Sequence, residues 1–131
     1  MRTGGIASSP RSLYFLAQGV LTLVWWAVIG LAPSVRRWFA FGDDGLSLLA
    51  FLPGDLLFWV GGSLAAAWGE RTAAPWTGGL RQVLCGGLAC SALHAVMLAG
   101  LTRTGWPGVC LMLPALATSA WITWHASASQ A

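Results

Sequence analysis

The chain has 131 residues, of which 56% are hydrophobic and 8% charged, and a formal net charge of +3. A soluble domain carries about 25% charged residues, so this one lacks the polar groups to cover a water-facing surface and is expected to be an integral membrane protein. All seven cations are arginine, which excludes lysine Schiff-base and P-loop chemistry, and the lack of any block of like charge argues against nucleic acid as a partner.

At about 20 residues per helical span and short connections, the length suits about four spans. Residues 1–11 form a polar tail, and the first apolar run covers residues 12–32. Arg2 and Arg11 precede it as in a signal peptide. The run is longer than an h-region, however, and Pro33 stands where cleavage would fall, so a retained span is expected. Pro33 ends that helix. Arg36, Arg37, Trp38, Phe39 and Phe41 then make an interfacial segment, and Asp43-Asp44-Gly45 supplies a turn with an N-cap acid for the next helix.

The second run, residues 46–68, carries a carboxylate in Leu52-Pro53-Gly54-Asp55. Two structures fit. In one the helix runs through Pro53 with a kink and holds Asp55 well inside the apolar layer. In the other a helix starts at Pro53 with Asp55 in its first turn, where proline and an acid are both favoured. The kinked helix is the expectation, because the alternative leaves only about 16 residues for the span. Gly69 to Gly79 reads as a polar loop, followed by a third run over residues 80–101 and a fourth over residues 106–124. Pro114 within the fourth should free the carbonyl of Cys110.

The nine tryptophans test the division into four spans. Up-down connectivity gathers Tyr14, Trp68, Trp76, Trp121 and Trp124 near one surface, with Trp38 and Trp106 near the other, as two aromatic belts require. Arginines count four (Arg2, Arg11, Arg71, Arg81) against three (Arg36, Arg37, Arg103), a lean towards cytoplasmic termini. The expected location is the inner membrane of a bacterium.

Candidate functional groups follow from depth. Asp55 lies nine residues in from Leu46 and His94 seven back from Leu101, which at about 1.5 Å per residue puts both roughly 10–14 Å below the same surface. Pro114 falls in that layer too. Asp55 and His94 are therefore expected to face the interior as a buried polar cluster, joined directly or through water. A proton relay or a substrate site is the functional version, and a structural pair or a simple helix cap is the alternative.

In the third run Gly86, Cys90, His94 and Met97 share a helical face. Cys90, His94 and Met97 would suit a soft ion, but Gly86 and Gly87, like Gly61 and Gly62, each stand four residues before another small side chain. That pattern reads first as close helix packing. Neither metal nor cofactor is expected. His125 lies at the opposite surface from His94, no zinc-binding spacing is present, and no serine sits in a nucleophile elbow. Cys85, Cys90 and Cys110, an odd number within apolar runs, read as packing thiols.

The segments LAFLPGDLLFWVGGSLAAAW (residues 49–68) and LMLPALATSAWITW (residues 111–124) resemble the membrane portion that precedes the catalytic module in some bacterial isoprenylcysteine carboxyl methyltransferase-like proteins. The likeness covers two of the four spans and implies architecture only. The family's cofactor-binding Arg-His-Pro module has no counterpart here, so any methyl transfer would have to come from a partner.

These readings converge on an all-α antiparallel bundle of four transmembrane helices in a single membrane domain. The expected function is a non-catalytic anchor, accessory or assembly subunit, partnered by the bilayer and by another membrane protein or copies of itself. A small oligomeric transporter or channel with Asp55 and His94 in its path is the alternative, and a lipid- or isoprenoid-modifying enzyme is the third.

Overall fold

A computed structural model describes residues 9–41 and 46–128. Helix α1 spans Pro10–Leu31, capped by the Ser9 hydroxyl, which accepts from the Ser12 N–H at 3.1 Å, with proline at its first turn. It ends because Pro33 pushes Ala32 out of helical geometry (φ −120°, ψ 88°) and itself starts a new helix. That helix, α2 (Pro33–Phe39), is short and carries Arg36 back towards α1. The Arg36 guanidinium donates to the Ile29 carbonyl at 3.1 Å and the Gly30 carbonyl at 3.2 Å, so a cation meets the unpaired carbonyls and negative dipole end of α1. Phe39 turns inward and meets the Trp25 ring edge-on at 4.1 Å. The expected Asp43-Asp44-Gly45 cap lies outside the described residues.

The second apolar run is where structure and expectation differ. It is not a kinked helix through Pro53. A short helix α3 (Leu46–Leu49) ends in a turn closed by the Phe51 N–H on the Leu48 carbonyl, and α4 (Leu52–Asp55) starts afresh with Pro53 in its first turn and Asp55 at its end. The missing N–H of Pro53 costs nothing where N–H groups are unpaired anyway. The helix then widens into a π-helical segment, Leu56–Gly61, before α5 (Gly62–Thr72) restores ordinary pitch. The helical path from Leu52 to Thr72 is thus continuous though not uniform.

Helix α5 stops at Ala73, left-handed at φ 51°, with the Ala74 N–H returning to the Gly69 carbonyl. The polar loop expected from Gly69 to Gly79 is therefore short, because its first four residues belong to α5 and its last three to α6 (Thr77–Thr102). A turn through left-handed Arg103 (φ 60°) and Gly105 (φ 78°) leads to α7 (Trp106–Ala128), which contains Pro114. A Cβ on Gly105 would stand 2.5 Å from the Phe41 ring, so both its backbone angle and its neighbour demand glycine. All the described elements are helical, and α1, α6 and α7 are each long and apolar enough to cross a membrane.

Packing runs α1 on α5, α5 on α6 and α6 on α7, and the Tyr14 hydroxyl closes the circuit by bonding Ser119 of α7 at 2.6 Å. Phe15, Trp59, Leu84, Leu88 and Ile122 fill the centre, with Ala66 and Ala67 of α5 against them. At the chain-terminal end polar groups knit the helices. Ser12 donates to the Ala67 carbonyl (3.0 Å), Arg71 donates to Ser12 (3.0 Å), and buried Arg81 pairs with Glu70. The tryptophans divide by place. Trp38, Trp68, Trp76, Trp106, Trp121 and Trp124 are exposed, whereas Trp26 and Trp59 are buried. Tyr14, expected at the outer belt, turns inward because its hydroxyl finds Ser119 and the Ala115 carbonyl.

Candidate functional site: an aromatic cleft around Asp55

Away from the knitted end the helices part around a cleft of about 990 Å³. It begins at the level of Tyr14, Trp59, Leu88 and Ala115 and extends past Asp55 to Phe39, Phe41 and Phe51. From Tyr14 to Trp25 along α1 is about 16 Å at the usual helical rise, long enough for an extended small molecule. The cleft exists because its rims are aromatic. Trp25, Phe39, Phe41 and Phe51 occupy the volume that glycine and alanine leave free at the other end.

Few polar groups interrupt these walls. The central one is Asp55, half-buried, whose Oδ2 accepts a hydrogen bond from the Trp26 indole N–H at 3.0 Å. The π-helical segment positions this contact. It follows Asp55 directly and turns Trp59 and Val60 into the core while Leu57 stays outside at 81% exposure. One widened turn thus resets the helical phase between the acid and the packing residues, a recurrent feature of functional sites. Gln18, Thr22, Ser91 and His94 also line the cleft. The Gln18 side-chain oxygen is buried with no hydrogen-bond partner among the described residues, while Thr22 donates to the Gln18 backbone carbonyl.

Asp55 and His94, expected to face the interior as a buried polar cluster, do line the same cleft, but Asp55 is only half-buried and His94 is exposed. Among the described residues no direct hydrogen bond joins them. Asp55 is held by Trp26, and the His94 ring lies against Phe51 at 6.1 Å, one helical turn before Asp55. Pro114 is not among the lining residues; its carbonyl accepts from Thr118 at 2.9 Å. Cys90 shares the cleft with His94 but Met97 does not, and all three side chains are exposed. No group of three or more His, Cys, Asp and Glu that could hold a metal forms among the described residues.

No protein-family model, curated protein or solved structure matches the chain. The cleft's own chemistry therefore carries the functional argument.

The four glycines singled out for packing separate into two kinds. A Cβ on Gly62 would stand 2.8 Å from Leu84, and one on Gly87 would stand 2.7 Å from Phe58, so both lie where α6 meets the second run. Gly86 faces open space, and Gly61 meets only a carbonyl of its own helix. Gly19 of α1 makes a comparable approach, 3.1 Å from Leu64. The residue that sequence reasoning missed is Trp26. Trp26 carried a signal, since a tryptophan in the middle of an apolar run is too deep for an interfacial belt.

Proposed function

We propose that the chain is a four-span integral membrane protein with a non-catalytic, accessory role, holding a small and largely apolar molecule in the cleft around Asp55. The fourth span would be Leu52–Thr72, whose 21 residues correspond to roughly 30 Å at about 1.5 Å each, the thickness of the hydrocarbon core. Both chain ends then lie on one side, and the arginine count favours the cytoplasm. The cleft carries this reading. Its volume lies in the range of about 300–1,000 Å³ usual for small-molecule sites, with apolar walls and a few convergent polar groups. Its aromatic rims and single carboxylate suit orientation of a ligand better than reaction on one. The likeness to isoprenylcysteine methyltransferase-like proteins would fit a subunit that presents a lipophilic molecule to an enzyme.

A transport role would use the same residues, with Asp55 and His94 both on the cleft wall. It needs a route past Phe15, Trp59, Leu84, Leu88 and Ile122, which fill the bundle beyond it.

Cys90 offers a direct test, since it lines the cleft and its thiol is free and exposed until a molecule covers it. The full chain, with Cys85→Ala and Cys110→Ala so that Cys90 alone reports, is extracted gently and studied by native mass spectrometry. The expected result is about one small molecule retained per chain, with Cys90 alkylation several-fold faster once exhaustive delipidation removes it. No retained molecule and an unchanged alkylation rate would overturn the proposal. A second protein retained at fixed stoichiometry would add the partner that the accessory role calls for.

A further inference from the structure

We infer that the cleft selects lipophilic organic cations: molecules whose positive centre sits among bulky apolar groups. The inference rests on the cleft being a ligand site and adds the ligand's charge. Three observations carry it.

The first is an unneutralised acid. The Asp55 carboxylate receives one hydrogen bond, from the neutral indole of Trp26, and pairs with no cation among the described residues. An ionised carboxylate can accept about four hydrogen bonds, and an acid among apolar walls is stabilised chiefly by a partner of opposite charge. Three of the arginines are engaged elsewhere. Arg36 holds the end of α1, Arg71 binds Ser12, Arg81 pairs with Glu70, and none of the described arginines lines the cleft.

The second is the wall. Trp26 touches this acid, and Trp25, Trp59, Phe39, Phe41 and Phe51 line the same cleft. Aromatic faces carry negative potential, and tryptophan is the strongest of them for a cation. Such walls favour a large, weakly hydrated cation over a metal ion or a small ammonium, which would surrender its water shell for too few oxygen ligands. An anion would meet both the carboxylate and the ring faces unfavourably.

The third is the acceptor on α1. The Gln18 side-chain oxygen, buried and without a partner, lines the same cleft two turns from Trp26. It adds to Asp55 a neutral, weaker acceptor with no partner among the described residues. His94 is the one ionisable group that could oppose a cation. Its ring is turned to Phe51, a helical turn from the Asp55 level.

The test uses the full-length wild-type chain in lipid nanodiscs and two near-isosteric ions of opposite charge. Radiolabelled tetraphenylphosphonium is the probe, with tetraphenylborate as the contrasting anion. Saturable binding of the cation, with the anion a competitor at least tenfold weaker, is expected. Equal competition by the two ions would overturn charge selection without any variant being made. Asp55→Asn keeps an acceptor for Trp26 but removes the charge, and should weaken cation binding about tenfold; an unchanged affinity in folded Asp55→Asn would overturn the role of Asp55.

The cation could belong to a free molecule or to a lipid headgroup such as choline. A smaller wild-type to Asp55→Asn ratio in phosphatidylcholine than in phosphatidylglycerol would identify headgroups as occupants, and equal ratios a free cation; both support the inference. If native mass spectrometry finds a retained molecule but the phosphonium does not bind, cation selection fails and the cleft reading stands. If neither binds, both fail.

Discussion

Gly86 and Gly87 are neighbours in α6 with the same sequence signature, yet a single added methyl group should separate them. A Cβ on Gly86 meets nothing within 4 Å, whereas one on Gly87 stands 2.7 Å from Phe58 Cε1, 3.3 Å from its Cζ and 3.5 Å from Trp59 Cη2. Replacing a mid-helix glycine by alanine gains about 0.8–1.0 kcal/mol of helix propensity, and Gly86→Ala should keep that gain. At Gly87 overpacking opposes it by about 1–3 kcal/mol. Phe58 is 40% exposed and can yield outward, but Trp59 behind it is only 7% exposed and cannot. That puts the cost in the lower half of the range, about 1–2 kcal/mol, and leaves Gly87→Ala between neutral and about 1 kcal/mol less stable than wild type. Subtracting one variant from the other cancels the propensity gain and isolates the contact that seats the π-helical segment on α6. The assay is reversible unfolding in mixed micelles by titration with sodium dodecyl sulfate, followed by tryptophan fluorescence. Equal midpoints for the two alanine variants, or Gly86→Ala as the weaker of the two, would refute the reasoning.

Breaking the Glu70–Arg81 pair by Glu70→Ala leaves a buried guanidinium uncompensated and should cost about 3–5 kcal/mol in the same assay. Glu70→Leu combined with Arg81→Met should recover most of that loss. Trp26→Phe removes the donor to Asp55 and should destabilise by about 1–3 kcal/mol. The same substitution made in Asp55→Leu should cost less, because no carboxylate is then left without its partner. Gly105→Ala forces a side chain into a left-handed angle against the Phe41 ring, worth about 1–3 kcal/mol of strain. Near-ultraviolet circular dichroism should register the change in the aromatic rim.

Much of the helical layout was legible because it depends on local chemistry. Apolar runs mark the long helices, and Pro33 ends α1 where a proline must. The second run resisted because two local preferences compete there. Its length favoured one kinked helix, but Pro53 costs least at a helix start, and α3 takes up the residues before it. The π-helical turn left no local mark, since it arises from satisfying two distant demands at once: Asp55 must reach Trp26 on α1 while Trp59 and Val60 enter the core. Glycine spacing located the contacts of Gly62 and Gly87 but could not separate them from Gly61 and Gly86, because a face is defined only by the helix packed against it. The cleft itself was written in the sequence as a gradient of side-chain size. Small residues, Ser63, Ala66, Ala67 and Gly69, let α5 approach its neighbours closely at one end. Trp25, Phe39, Phe41 and Phe51 hold the helices apart at the other. A bundle closed by small side chains at one end and propped by rings at the other must open between them, and the acid placed at that opening is Asp55.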